Sequence, residues 1–319
     1  MEDRAPDSLV EENGVEVIRI GDLPPEEVER HLRVESQDVA VDLTALYSLI
    51  APGTTVTAAS AQPEGFGRYT LTVETGTGED LRVRTDLSFL PNNEKNLAAA
   101  AALAFQARTG RDPGGVAIAI EKHIPVCAGM GGGSSDAAAV LRTLNGMLEA
   151  GYDPLALAEI GEAVGSDVPY CVLGGTALAE GRGEVLTTLP ALPDCHVVLC
   201  KPAFSVPTPE LFARLDGCRI RRRPDTAGLL AALAAGDLAG VARRMYNVFE
   251  DVLPERRGAE VQRIKNALVQ QGALGASMSG TGSTVFGLFD RVEAARRAYE
   301  LLQESYRDTF LARSLEKMV

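Results

Sequence analysis

The fold is decided by the stretch PVCAGMGGGSSDAA, residues 125–138, in which a glycine-rich loop runs directly into a helix. The preceding stretch 115–120, GVAIAI, has the β-branched, alternating pattern of a strand. After the loop, apolar residues recur at helical spacing on one face up to Leu148. Backbone N–H groups at such a loop, together with the positive end of a helix dipole, form an anion-binding cradle. The stretch therefore predicts a phosphate site between a strand and a helix.

The hydroxyls of Ser134 and Ser135 are candidates for contacts to phosphate or for ligation of Mg²⁺. The loop lacks the Gly-Lys-Ser/Thr ending of a Walker A motif and the acid-spaced G-x-G-x-x-G of a dinucleotide-binding fold. The alternative is a flexible turn in which Ser134 is an ordinary helix cap.

A second stretch, VGSDVP at 164–169, places Asp167 between a helix end and a proline-stiffened strand start. A carboxylate in such a position is a candidate general base for a substrate hydroxyl. The alternative is that Asp167 only satisfies amides of a turn.

A third stretch, SMSGTGST at 277–284, is another glycine loop. By itself it is also consistent with a tight turn between a helix and a strand. Two such loops in one chain favour a polyanionic ligand held between two halves of the fold.

Hydrophobic periodicity and turn signals predict mixed helices and strands without strict alternation, which indicates an α+β fold. Strands are predicted at 14–20, 38–43, 54–58, 69–74, 115–120, 196–200 and 285–288. Helices are predicted from 22 and at 95–109, with Asn92 or Asn93 as cap, and at 134–151, 153–165, 226–234, 238–246, 260–270 and 292–304. We expect an N-terminal domain over 1–188 and a C-terminal domain over 189–319.

The composition excludes several function classes. The net charge of −13 argues against a protein that binds nucleic acid through its phosphates. The longest apolar run, 97–105, is too short to cross a membrane, so we expect a cytoplasmic protein. Three histidines and five cysteines without a C-x-x-C pair argue against a zinc site, and no metal site is predicted beyond the Mg²⁺ that would accompany a bound phosphate.

The stretch 125–136 resembles the ATP-binding motif of the GHMP small-molecule kinases, and the second glycine loop resembles their C-terminal motif. From about residue 54 to the C-terminus, the order and spacing of further motifs resemble one family among them, the 4-diphosphocytidyl-2-C-methyl-D-erythritol kinases. These motifs are NEKNL at 93–97, KHIP at 122–125, GSDVP at 165–169, GGTA at 174–177, GRGE at 181–184, KP at 201–202 and PTP at 207–209.

The resemblance implies a two-domain GHMP kinase fold, with an ATP-binding N-terminal domain, a ferredoxin-like C-terminal α/β domain and the active site between them. It implies ATP and Mg²⁺, a small-molecule cytidine diphosphate acceptor, and a place in the non-mevalonate route to isoprenoids. We expect a monomer or a homodimer. By the resemblance, Asp167 is the base that deprotonates the 2-hydroxyl of the acceptor. The implied nucleotide-binding residues are Asn96, Lys122, Pro125, Gly129, Met130, Gly131, Gly132, Gly133, Ser134 and Ser135. The implied substrate-binding residues are Asp167, Thr208, Ser279, Gly280 and Gly282.

The first 53 residues depart from that family. Its members open with a strand reading Pro-Ala-Lys-Ile-Asn-Leu and an Asp-Gly-Tyr-His turn, which supply a catalytic lysine and hold the cytosine. Here the first lysine is Lys95, and residues 1–50 hold 13 acidic and 4 basic residues. Three explanations stay open: an unusual active kinase, a nucleotide-binding relative without catalysis, or a shifted gene start. Another GHMP kinase, such as one for homoserine or mevalonate, is a further alternative, against which the GSDVP segment argues.

Overall fold

The computed structural model describes residues 81–111, 115–122, 124–220 and 222–314, together with the backbone of strands between residues 9 and 75. The described strands are β1 (Leu9–Glu12), β2 (Val15–Ile18), β3 (Val34–Ser36), β4 (Val41–Asp42), β5 (Thr55–Thr57), β6 (Ser60–Glu64), β7 (Leu71–Thr75), β8 (Leu81–Thr85), β9 (Val116–Ile120), β10 (Ala177–Glu180), β11 (Val185–Thr188), β12 (His196–Lys201), β13 (Gly275–Met278), β14 (Val285–Phe289) and β15 (Asp308–Ser314).

The described helices are α1 (Leu97–Thr109), α2 (Gly132–Met147), α3 (Pro154–Glu162), α4 (Val168–Leu173), α5 (Thr208–Asp216), α6 (Thr226–Ala234), α7 (Leu238–Arg244), α8 (Glu255–Gln270) and α9 (Val292–Gln303). A short 3-10 helix covers Val248–Val252. No helix among the described residues is both long and apolar enough to cross a membrane.

The strands form four sheets. A four-stranded sheet has the order β3-β7-β9-β8, and β8 runs parallel to β9. A six-stranded antiparallel sheet has the order β13-β14-β12-β15-β6-β4, and β11-β10-β5 form a smaller sheet. β1 and β2 pair as a separate hairpin. Because β4 and β6 extend the six-stranded sheet, segments from before residue 65 join strands from beyond residue 195.

One hydrophobic core lies between the four-stranded sheet and helices α1 to α4. Alanines on α1 allow close packing against α2, and Phe105, fully buried, fills the remaining space. The α1 helix begins at the side chain of Asn96, which accepts a hydrogen bond from the N–H of Ala98, and it ends at the left-handed Gly110. These features hold α2, and the glycine loop before it, on a rigid layer.

The six-stranded sheet has a core on each face. Helices α8 and α9 pack on one face, where Ile264, Leu268 and Ala295 are fully buried. Helices α6 and α7 pack on the other face, together with Ile124 and Met130 from the first glycine loop region. The core beneath α6 and α7 therefore joins the first glycine loop to the C-terminal half of the chain.

The α+β class and most predicted elements are confirmed, with helix 226–234 found at its predicted bounds. The cap of α1 was predicted at Asn92 or Asn93 and is Asn96 instead. The strand predicted after Asp167 is wrong, because that segment is helix α4 with a proline in its first turn. The second glycine loop joins two strands rather than a helix and a strand. The helix predicted from residue 22 lies outside the described residues.

Candidate functional site

The first glycine loop ends at a helix N-terminus that no side chain caps. Gly131 adopts the left-handed conformation with φ of 63°, and α2 begins at the next residue, Gly132. The alternative of Ser134 as the helix cap is therefore wrong, because the helix begins two residues earlier. The first-turn N–H groups and the positive end of the helix dipole are left for an anion.

A buried ion pair lies beneath this loop. The Lys122 Nζ atom lies 2.7 Å from Asp136 Oδ2 and donates a second hydrogen bond to the carbonyl of Gly132 at 3.0 Å. Burial raises the pKa of the Asp136 carboxyl, an effect that the charge of Lys122 opposes. Asp136 Oδ1 has no hydrogen-bond partner among the described residues. The pair fixes the first turn of α2 to the segment that enters the loop.

A cavity of about 430 Å³ opens over the loop and the start of α2, and we call it the helix-side cavity. Of the residues predicted to bind the nucleotide, those that line it are Asn96, Lys122, Pro125, Gly129, Met130, Gly131, Gly132, Gly133 and Ser134. Ser135 does not line it, since its hydroxyl donates to the carbonyl of Gly132 at 3.0 Å. The structure thus brings residues from three separate motifs to one cavity.

Asp167 lies at the N-cap position of α4, and its side chain makes no capping hydrogen bond to that helix. The alternative that it satisfies turn amides therefore finds no support in the helix cap. The Ser166 hydroxyl donates a long hydrogen bond to Oδ1 at 3.4 Å. Burial raises the pKa of the Asp167 carboxyl above its ordinary value, and the hydrogen bond from Ser166 opposes this. A raised pKa makes the carboxylate a better proton acceptor than an exposed aspartate.

Asp167 lines a second cavity of about 650 Å³, which we call the Asp167 cavity. Gly280 and Gly282 of the second glycine loop also line it. The two cavities share the lining residues Cys127, Gly129, Gly131 and Thr208. They therefore adjoin along the first glycine loop, with the helix N-terminus on one side and the carboxylate on the other.

The two glycine loops dock directly on each other. A Cβ atom on Gly129 would lie 2.3 Å from the carbonyl oxygen of Ser279, so only glycine fits there. The Ser279 hydroxyl donates to the carbonyl of Gly129 at 2.5 Å, and the Thr284 N–H donates to the carbonyl of Ala128 at 3.1 Å. Ser279 is fully buried and does not line the Asp167 cavity.

Four residues that the sequence did not single out hold the second loop and form the wall beside it. The Asn247 side-chain amide donates to the carbonyls of Met278 at 2.8 Å and Gly280 at 2.7 Å. Glu250 Oε1 accepts from the N–H of Met278 at 2.8 Å. No local pattern marks Asn247 or Glu250, because their role depends on a loop about 30 residues away. The half-exposed Phe212 packs edge-to-face on Phe249, and both line the Asp167 cavity.

Family models match both halves of the chain. The model described as "GHMP kinases N terminal domain" matches residues 96–175, and "GHMP kinases C terminal" matches residues 229–308. The first match spans α1, the glycine loop and Asp167, and the second spans the Asn247 region and the second loop.

Curated relatives extend the similarity over most of the chain. A 4-diphosphocytidyl-2-C-methyl-D-erythritol kinase of Alkaliphilus metalliredigens is 40% identical over 247 residues, which cover 77% of this chain and 84% of the relative. A protein of the same name from Levilactobacillus brevis is 45% identical over 74% of this chain and 82% of its own length.

Solved structures show the same fold. A crystal structure of a 4-(cytidine 5'-diphospho)-2C-methyl-D-erythritol kinase is 31% identical, has a TM-score of 0.67, and covers 89% of this chain and 98% of its own. A homoserine kinase from Cytophaga hutchinsonii has a TM-score of 0.65 at 19% identity over 90% of this chain and 98% of its own, a level that shows the fold alone.

Proposed function

The chain belongs to the 4-diphosphocytidyl-2-C-methyl-D-erythritol kinases of the GHMP family, and from that premise we propose that it transfers the γ-phosphoryl group of ATP to the 2-hydroxyl of 4-diphosphocytidyl-2-C-methyl-D-erythritol. The observation that carries the proposal is the meeting of the two cavities at Gly129 and Gly131, with Asp167 on one side of the loop and the open helix N-terminus on the other. Phosphoryl transfer requires this juxtaposition of a phosphate cradle and a proton acceptor.

The helix-side cavity is the proposed ATP site. Backbone N–H groups at the start of α2 face the phosphates, and the helix dipole favours their negative charge. Lys122, whose side chain is only 4% exposed, contributes positive charge from beneath the loop. Asn96 and Pro91, which precede α1, also line this cavity, and we propose that the adenosine lies beside them.

The oxygen donors beside the cradle are compatible with Mg²⁺. The Ser134 hydroxyl and the Asp136 carboxylate line the helix-side cavity, and Asp136 Oδ1 is buried without a hydrogen-bond partner among the described residues. Magnesium is usually held by one or two such oxygens together with phosphates and water. Bound there, Mg²⁺ would neutralise charge on the phosphates. We propose Ser134 and Asp136 as the residues that hold it.

Asp167 is the proposed general base. Its carboxylate accepts the proton of the 2-hydroxyl as the hydroxyl oxygen forms a bond to the γ-phosphorus. The bond from that phosphorus to the bridging oxygen breaks, and ADP leaves with the electron pair. Since burial raises the pKa of Asp167, the group holds the transferred proton more readily than an exposed aspartate.

The aromatic wall of the Asp167 cavity is the proposed site of the cytosine ring. Phe212 is 45% exposed, and its ring lies 5.0 Å from that of Phe249 at an interplanar angle of 74°. Such a ring, held at its edge by a buried partner, offers one face for stacking. The Thr208 hydroxyl, hydrogen-bonded to that of Thr281 at 3.0 Å, lies between this wall and the glycine loops.

The remaining predictions concern organisation. We place the boundary between the domains near residues 188 and 189, between the two matched family models. Cytoplasmic location and a monomeric or homodimeric state stay predictions. No observation favours the homoserine or mevalonate alternatives, whose structures share only the fold with this chain.

The test is ADP release by the purified full-length protein with Mg²⁺ and ATP, with and without 4-diphosphocytidyl-2-C-methyl-D-erythritol. Release that depends on this acceptor, and that Asp167→Asn lowers by about 1,000-fold or more, supports the proposal. A panel with homoserine and mevalonate serves as the specificity control. ATP binding without acceptor-dependent release would identify a nucleotide-binding relative without catalysis.

A further inference from the structure

A hairpin tip brings a positive charge into the Asp167 cavity. Strands β10 and β11 are joined by the turn Gly181–Gly183, and Arg182 lies at its tip. Among the described residues that line this cavity, Arg182 is the sole cationic side chain and Asp167 the sole carboxylate. A site that transfers a phosphoryl group needs positive charge close to the reacting oxygens.

The chain holds this tip in one conformation. Gly181 and Gly183 both have positive φ, 71° and 124°, which side chains rarely adopt. The Glu184 carboxylate accepts a hydrogen bond from the N–H of Arg182 at 2.8 Å, and hydrogen bonds from its own and the Arg182 backbone hold its pKa below its ordinary value. The backbone of Arg182 is therefore fixed even though its side chain is exposed.

The tip packs beside the proposed base. A Cβ atom on Gly183 would lie 3.2 Å from the carbonyl oxygen of Ser166 and 3.5 Å from Asp167 Oδ1. Glycine at position 183 therefore allows a close approach of the hairpin to Ser166 and Asp167 that a side chain would crowd. The neighbouring Arg182 lines the same cavity as Asp167.

The guanidinium group has weak partners in the described part of the chain. Its side chain is 78% exposed, and its ion pairs with Glu162 and Glu184 have separations of 3.9 and 4.0 Å. Ion pairs this long and exposed contribute little to stability. A phosphate group can therefore recruit the guanidinium at small cost, and the planar fork suits phosphate oxygens.

We propose that Arg182 is a catalytic residue that contacts the phosphoryl group during its transfer. This inference rests on the proposed function. As the hydroxyl oxygen bonds to phosphorus, the proton passes to Asp167 and ADP departs, while the guanidinium stabilises the negative charge on the transferred oxygens. The charge comes from the C-terminal side of the Gly-Gly-Thr-Ala segment, independently of residues 1–53.

The experiment compares Arg182→Ala, Arg182→Lys and the control Arg243→Ala in the full-length protein. Arg243 has a similar exposure of 64% and a similar ion pair of 3.9 Å to Asp237, but it lines neither cavity. We expect Arg182→Ala to lower kcat about 100- to 1,000-fold with KM for the acceptor changed less than about threefold. We expect Arg182→Lys to restore part of kcat, and Arg243→Ala to stay within about twofold of the parent.

An unchanged kcat in Arg182→Ala would overturn the inference. If KM for the acceptor rose while kcat stayed unchanged, the guanidinium would instead contact the diphosphate of the acceptor.

A binding measurement separates this inference from the proposed function. The ADP–aluminium fluoride complex with Mg²⁺ mimics the phosphoryl group during its transfer. The ratio of the affinity for this complex to the affinity for ADP alone should therefore fall at least about tenfold in Arg182→Ala. If the parent protein shows no turnover, the proposed function fails while this ratio still tests Arg182. An equal ratio in parent and variant would refute the contact whatever the turnover shows.

Discussion

The two glycine loops of this molecule have similar composition but different surroundings. The first, residues 125–131, ends at the N-terminus of α2 and lines the helix-side cavity. The second, residues 279–284, joins two antiparallel strands and uses its own polar groups internally. There the Ser279 N–H donates to the carbonyl of Thr284, and the Gly282 N–H donates to the carbonyl of Ser279, both at 2.8 Å.

This difference shows that glycine content alone does not identify a binding loop. The first loop leads into a helix N-terminus that no side chain caps, and the first-turn N–H groups and helix dipole there attract an anion. The second has its carbonyls bound by Asn247 and serves as a wall that shapes the first. Each loop rests on a lysine–carboxylate pair, Lys122 with Asp136 and Lys265 with Glu250.

The largest effect is expected where the loops touch. In Gly129→Ala, the new Cβ would lie 2.3 Å from the backbone oxygen of Ser279, so one loop must move from the other. Because both cavities adjoin at Gly129, we expect kcat/KM to fall about 100-fold or more, measured as acceptor-dependent ADP release.

The matched control for Gly129→Ala is Gly110→Ala. Gly110 has a similar φ of 65°, compared with 72° at Gly129, but nothing lies within 4 Å of its added Cβ. Both variants share a backbone strain of about 1 kcal/mol, and only the first disturbs the contact between the loops. Similar activities in the two variants would show that the contact between the loops is dispensable.

The next prediction compares the contributions of the two ion pairs to stability. Lys122→Met removes a cation that is 4% exposed and leaves Asp136 buried without a charge partner, which we expect to cost about 3–5 kcal/mol in unfolding free energy. Lys265→Met removes a cation that is 21% exposed, and its expected cost is about 1–2 kcal/mol. Urea unfolding of both variants measures the two costs. Equal costs would mean that burial does not distinguish the supports of the two loops.

A smaller effect is expected when the second glycine loop alone loses its support. Asn247→Ala leaves the carbonyls of Met278 and Gly280 without their buried donor, at an expected cost of about 2–4 kcal/mol. The control is Asn145→Ala, which removes a similar pair of hydrogen bonds to the backbone of Tyr152, away from both loops. Thermal unfolding should show a loss in both, whereas KM for the acceptor should rise only in Asn247→Ala. A rise of KM in both variants would assign the effect to a general loss of stability.

Local patterns predicted the elements whose signals lie in adjacent residues. Gly110 ends α1, Asp153 with Pro154 begins α3, and the glycines before Ser134 lead into the start of α2. Helix α4 was mistaken for a strand because Val168-Pro-Tyr-Cys-Val-Leu is rich in β-favouring residues, while proline is also accepted in a first helical turn.

Features that depend on distant contacts were not predictable. In sequence Arg182 lies within an ordinary glycine turn, and its place in the Asp167 cavity arises only when the β10–β11 hairpin packs on Ser166. The pairing of β6 with β15 joins segments about 250 residues apart, and no periodicity specifies such a partner.

The smallest predicted effect concerns the charge of Asp167. Unlike the carboxylates of the two ion pairs that support the loops, this carboxylate is proposed to act in the reaction. No lysine or arginine nitrogen in the described part of the chain forms a salt bridge with Asp167, and burial raises the pKa of its carboxyl above the ordinary 3.8. A carboxyl with a raised pKa contributes stability that is complete below the unfolded pKa and is lost as the pH rises through the folded one. At neutral pH the ionised Asp167 therefore costs stability, and Asp167→Asn should raise the thermal midpoint by about 2 °C.

The pH dependence of this difference in thermal midpoint identifies its cause. Thermal unfolding of the parent and of Asp167→Asn, followed from about pH 8 down to about pH 4, should show the gain of the variant shrinking as the Asp167 carboxyl of the parent becomes protonated. Since Asp136 is present in both proteins, its own titration cancels in the difference. A gain that is independent of pH would trace the effect to packing of the amide, and a loss at neutral pH would show that the Asp167 carboxylate stabilises the fold.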